Sequence, residues 1–142
     1  AMERSEARRI LRLVDVVALH QSECQYLIGE DDPLVAAELI VELGAGAAIV
    51  TQGDHGSTVY EGDDFLVVPA YPTGAKGRCW AGAAFVAGMA SALLAEQPLI
   101  KAVALASSVA SVFVEQKDRH APLDMKTIDK RQRHIMSRIE FR

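Results

Sequence analysis

The chemistry this chain could perform concentrates in Pro72-Thr73-Gly74-Ala75-Lys76-Gly77-Arg78-Cys79-Trp80-Ala81-Gly82, a glycine-rich turn that runs into small-residue helical sequence ending near Leu94. The first N–H groups of a helix lack internal partners, and the helix dipole adds partial positive charge at the same end. Glycine lets that backbone come close to a ligand, which makes such a turn suited to phosphate. Lys76 and Arg78 supply formal charge of the matching sign. A basic loop ahead of a core helix whose glycines permit close packing explains the same residues, and the local sequence by itself favours that plainer reading.

Bulk properties narrow the choice. A chain of 142 residues, half of them hydrophobic, is read as a single α/β domain over residues 1–142 with a proper core. A net charge of −4 argues against a nucleic-acid partner. The basic residues gather in Arg4 to Arg12 and Lys117 to Arg142, both helix-like stretches that read as solvated faces. Cys24 and Cys79, taken as buried, are too few for a disulfide framework, so a cytoplasmic location is expected. No metal-binding spacing of Cys and His and no membrane-spanning apolar run is present.

The elements that must position the turn follow from periodicity. Glu3 to Leu13 predicts an amphipathic helix, and Asp15 to Leu19 a strand buried on both faces. Ser22 is expected to cap a short helix that stops at Gly29, and Asp32-Pro33 to open another that Gly44 ends. Ala47 to Thr51 reads as a second buried strand, parallel to the first. Gly53-Asp54-His55-Gly56 forms a turn with His55 exposed, and Ser57–Tyr60 with Phe65–Val68 a hairpin. After the glycine turn only helices are expected: Cys79 to Leu94, Pro98 to Val114 and Asp124 to Ser137. Trp80, the only tryptophan, should anchor the first of these in the core.

In this order the segments resemble the C-terminal half of the PfkB (ribokinase-like) carbohydrate kinase family. Val16-Val17-Ala18-Leu19-His20-Gln21-Ser22-Glu23 resembles the family strand that ends in Asn-x-x-Glu. Ile49-Val50-Thr51-Gln52-Gly53-Asp54-His55-Gly56 resembles Val-Thr-x-Gly-x-x-Gly. Thr73-Gly74-Ala75, with Ala81-Gly82 and Phe85-Val86-Ala87-Gly88, is similar to the signature Asp-Thr-Gly-Ala-Gly-Asp followed by Phe-x-Ala-Gly. Lys101-Ala102 through Glu115 is similar to the helix that follows. The resemblance implies a three-layer ribokinase-like half-fold: a mainly parallel sheet, a β-hairpin and C-terminal helices. It implies ATP or ADP held by Gly53, Gly56, Gly74, Lys76, Gly77, Arg78 and Ser107, with Mg2+ near Glu23. For each of these the alternative is structural: turn geometry for Gly53 and Gly56, helix packing for Ser107, a solvated helix-start carboxylate for Glu23.

The departures from the family pattern set the expected activity. The signature's last Asp, the base in the family, aligns with Arg78 when counted from Thr73-Gly74-Ala75 with one residue inserted, and with Ala83 when counted back from Phe85. Neither side chain accepts a proton near neutral pH, so no catalytic residue is assigned. His20 replaces the Asn of Asn-x-x-Glu and suits a hard cation less well; it reads as a hydrogen-bonded structural histidine. The expectation is a degenerate kinase domain that binds nucleotide and transfers phosphate poorly or not at all. The alternatives are an interaction module or a fragment of an active ATP-dependent sugar kinase. A half-fold exposes a sheet edge and an apolar face, so a homodimer or a complementary chain is expected.

Overall fold

The computed structural model describes residues 4–75 and 79–142, which form an α/β fold in two compact units: 1–67 with 140–142, and 68–139. The first unit holds α1 (Arg4–Leu11), β1 (Val16–His20), α2 (Gln21–Ile28), α3 (Pro33–Glu42), β2 (Ala47–Thr51), a 3-10 turn (Gly53–His55), β3 (Ser57–Glu61) and β4 (Asp64–Val68), whose last residue opens the second unit; β5 (Glu140–Phe141) also belongs to the first. The strands lie side by side in sequence order. β1 and β2 are parallel, with Val16 opposite Ala47 and His20 opposite Thr51. β2 pairs antiparallel with β3, and β4 with β5, so the sheet is mixed. The turn after β2 is too short for the crossover that a parallel neighbour needs. β5 was not expected, since a two-residue strand carries no periodicity.

Local chemistry sets the helix ends. One Asp32 carboxylate oxygen accepts from the N–H of Leu34 at 2.9 Å and of Val35 at 3.2 Å, while Pro33 opens α3 without an N–H to satisfy. α2 ends as expected at Gly29, which is left-handed at φ 77°. Its start corrects the expectation for Ser22. The capping residue is His20, whose Nδ1 accepts from the Ser22 N–H at 3.2 Å, and Glu23 returns the bond to the His20 N–H at 2.7 Å. This reciprocal pair satisfies two helix-start donors and displaces the hydroxyl from the role. Ala36, Ala37 and Ile40 of α3 pack with Cys24, Ala48 and Val50, all fully buried, and Val17 and Leu19 of β1 extend that cluster. Each large aliphatic side chain so buried contributes about 1.5–3 kcal/mol.

The second unit is built from α4 (Ala81–Leu94), α5 (Leu99–Glu115) and α6 (Met125–Met136). α4 lies close on α5 at Gly88, where an added Cβ would stand 3.0 Å from the Val109 Cβ and 3.1 Å from the Ala106 Cα. The Ser108 hydroxyl donates to the Ile128 carbonyl at 2.6 Å, and Ile128 and Ile135 are fully buried. Arg131 of α6 donates to the Ser111 Oγ at 3.1 Å, pairs with Glu115 and covers the Tyr71 ring at 4.4 Å. His134 meets the same ring edge-on at 5.3 Å.

Candidate functional site

The backbone ahead of α4 is held by local bonds. The Thr73 hydroxyl donates to the Ala75 carbonyl at 3.1 Å, and Gly74 is exposed with open space where a Cβ would stand. Lys76, Gly77 and Arg78 lie outside the described residues. α4 then opens on Trp80, left-handed at φ 76° and ψ 2°, with no side-chain cap on the helix. The Trp80 carbonyl accepts from the Ala84 N–H at 3.0 Å. The Trp80 side chain leaves the first N–H groups of α4 uncapped, and a helix start carries partial positive charge that favours an anion.

Trp80 corrects the sequence expectation. It is 62% exposed and is no core anchor, because it lies before the first helical turn in a backbone conformation unlike the helix's own. Cys79 beside it is also exposed, whereas Cys24 is buried as expected. Trp80 forms one wall of a cleft of about 630 Å³ with Ala83 and Ala87 of α4 and Phe113 of α5, and Arg119 and His120 stand at its rim. Among the described residues that line it there is no carboxylate. The cleft is therefore apolar in its walls and basic at its mouth, which suits an anion that carries a hydrophobic or aromatic body. Sequence reasoning missed Arg119 and His120 because they fall in a stretch read only as a solvated charge run.

The nominated residues are distributed as follows. Ser107 is half-buried on α5 and does not line the cleft; Val109 and Phe113 of that helix do. Gly53 and Gly56 belong to the first unit, where they build the turn between β2 and β3. Gly56 takes φ 94° and ψ −141°, open only to glycine, and its carbonyl accepts from the Gln52 N–H at 2.8 Å. His55 is exposed beside Asp54. Glu23, also in the first unit, is exposed at the start of α2, with one oxygen engaged by the His20 N–H. Among the described residues no group of three His, Cys, Asp or Glu is placed to hold a metal ion. A lone carboxylate fits Mg2+ only where phosphate oxygens and water complete the shell. Among the described residues no helix is long and apolar enough to cross a membrane.

Known proteins place this geometry. The sequence pattern described as pfkB family carbohydrate kinase matches residues 1–125. The bifunctional protein HldE of Azotobacter vinelandii is 33% identical over 111 residues, which is 74% of this chain and 23% of that protein. The bifunctional ribokinase/ribose-5-phosphate isomerase A of Fructilactobacillus sanfranciscensis is 30% identical over 112 residues, 75% of this chain and 21% of the other. Among solved structures, phosphofructokinase-2 from Escherichia coli in complex with potassium superposes with a TM-score of 0.80 at 22% identity, covering 94% of this chain and 44% of that one. Ribokinase from Thermotoga maritima gives a TM-score of 0.76 at 22% identity, over 89% of this chain and 44% of its own. The chain thus spans about a quarter or less of those curated relatives and under half of those solved folds. With the family pattern running through most of its length, and a ribokinase-like α/β fold observed independently of it, the chain belongs to the pfkB family of carbohydrate kinases.

Proposed function

We propose that this chain is a PfkB-type carbohydrate kinase domain, working as one domain, that binds ATP or ADP and by itself transfers little or no phosphate. The reading assigns the nucleotide phosphates to the start of α4 and names Gly74, Lys76, Gly77, Arg78 and Ser107 as nucleotide contacts, with Gly53 and Gly56 of the first unit nominated by the family resemblance alone. Mg2+, when bound, would neutralise the phosphates and sit with Glu23 through water. Transfer to a sugar hydroxyl also needs a proton acceptor at that helix start. The observation that carries the proposal is the absence of any carboxylate among the described residues lining the cleft, where Ala83 stands at a position that could hold one. A homodimer or a complementary chain completes the site in this reading.

Isothermal titration with Mg-ATP and ADP, run beside a coupled assay for ADP release with ribose and fructose 6-phosphate, tests it. Nucleotide binding in the micromolar to millimolar range with no turnover is the expected result. Silence at millimolar nucleotide removes the binding half, and sugar phosphate made by the purified chain removes the other. A second reading, an interaction module with no ligand, draws on exposed apolar side chains such as Leu13, Tyr26 and Leu94; it would give silence in the titration together with stable self-association in light scattering.

A further inference from the structure

The cleft beside Trp80 lies wholly within the second unit, and its walls differ in chemistry from its rim. Its floor is the seam between α4 and α5, where Val109 also meets Gly88. From α4 come Ala83 and Ala87, both exposed, on a helix with no charged residue between Ala81 and Leu94. Trp80 and Phe113 supply aromatic walls. Covering such a surface with an apolar body releases it from water, the usual driving force for filling a cleft of this kind.

The rim is a loop fastened to itself. The Gln116 Nε2 donates to the Pro122 carbonyl at 3.2 Å, and the Ala121 N–H to the Asp118 carbonyl at 3.3 Å. The His120 N–H donates to an Asp118 carboxylate oxygen at 2.9 Å. Asp118 is thereby drawn into the loop and does not line the cleft, whereas Arg119 and His120 do. Among the described residues Arg119 enters no ion pair. A fixed loop thus offers a guanidinium, suited to a carboxylate, at the mouth of an apolar cleft.

These walls select against a polyhydroxyl or heteroaromatic ligand. Among the described lining residues, Trp80, Gln116, Arg119 and His120 alone bring a polar side-chain atom, and the Gln116 amide nitrogen is already engaged. A sugar or a purine would bury several groups without partners, which is unfavourable. A body free of hydrogen-bonding groups, with one anionic head, meets no such penalty. We propose that the cleft binds an amphiphilic carboxylate, its aliphatic or aryl body against Trp80, Ala87 and Phe113 and its head at Arg119 and His120. The site is separate from the nucleotide contacts, since Gly53, Gly56, Gly74 and Ser107 do not line it. The inference is independent of whether the glycine turn holds nucleotide.

Trp80 is the only tryptophan, so its emission reports on this wall alone. The test titrates the chain with ω-bromooctanoate, whose bromine quenches a tryptophan that it touches, and with ω-bromooctanol, the same body without charge. The acid should quench saturably, and the alcohol should need about tenfold more for the same effect, the loss expected with one charge-assisted hydrogen bond. Arg119→Gln should weaken the acid by a similar factor and leave the alcohol unchanged. Ala87→Phe, which fills the cleft from an exposed position, should abolish saturation for both. Millimolar ADP should leave the acid in place. Quenching that rises linearly overturns the proposal, as does equal strength of acid and alcohol. Saturation that survives Ala87→Phe puts the ligand elsewhere and overturns it too. Displacement of the acid by ADP assigns the cleft to the nucleotide and equally overturns it. The comparison of acid with alcohol uses the parent chain, so it decides even where a variant fails to fold.

Discussion

Cys24 and Cys79 show how burial separates two identical side chains. Burial pushes the Cys24 thiol up to about 11, with the nearby Glu23 carboxylate adding to the shift, whereas Cys79 stands exposed ahead of α4. The thiolate is the reactive form, so a thiol reagent at pH 8 should label Cys79 and leave Cys24 untouched until the protein unfolds. Peptide mass spectrometry after brief labelling reads the difference, and two equally labelled cysteines would contradict the packing of α2. Asp124 makes the corresponding case for acid. Its carboxylate accepts from the Thr127 hydroxyl and from the Lys126 N–H at 3.1 Å, and these bonds, the Thr127 one foremost, hold its pKa below the ordinary aspartate value. A lowered acid contributes stability that is complete above its unfolded pKa and is lost as pH falls through the folded one. Asp124→Ala should therefore lower the melting temperature at pH 7, and the gap from the parent should narrow as pH falls below the ordinary aspartate pKa of about 3.9. Sequence showed the cap at Asp32 because Asp ahead of a first-turn proline has one obvious use, whereas Asp124 in the sequence marks only the start of the last helix. It did not show the His20–Glu23 pair, since histidine caps a helix only when a neighbour orients its ring.

Among the elements, α6 is tied to its surroundings through the Arg131 side chain. Arg131 is 11% exposed and joins α5, through Ser111 and Glu115, to the Tyr71 ring in the segment that leads to the glycine turn. Arg131→Met keeps the aliphatic stem and removes the ion pair, the hydrogen bond and the cation over the ring. Glu115 is more than a third exposed, so the loss should be about 1–2 kcal/mol, well under that of a fully buried pair. Urea denaturation would measure it, and an unchanged midpoint would make the cluster ornamental. The helices, β1 to β4 and the β3–β4 hairpin were legible from periodicity and caps, because each is long enough to repeat its pattern. β5 was not. Nor was the role of Trp80, since hydrophobicity predicts burial while the left-handed backbone at its position holds it at the lip of a cleft.

For the whole molecule, a net charge of −4 conceals a division. The unit of residues 1–67 and 140–142 carries fourteen acidic and five basic residues, and the unit of 68–139 carries five acidic and ten basic. The second unit also holds the basic-mouthed cleft, so a polyphosphate anion meets a favourable field there although the protein as a whole is acidic. Nucleotide affinity should fall as salt rises from 50 to 300 mM, conditions chosen so that the screening length drops from about 14 to about 6 Å. Titrations at the two ionic strengths check this, and a salt-independent affinity would place the ligand away from that field. The sequence could disclose only the net value, because assigning charges to units requires knowing that the chain returns to the first unit at Glu140.

The embrace of α5 by α6 has a practical corollary. The family sequence pattern ends at residue 125, where α6 begins, so a gene trimmed to that match would discard Ile128, Ile135 and Arg131 at one stroke. It would leave Ser108, Ser111 and Glu115 without the groups they now engage. The stretch beyond the sequence match is here part of the masonry, and an excision guided by that match alone would take down a wall.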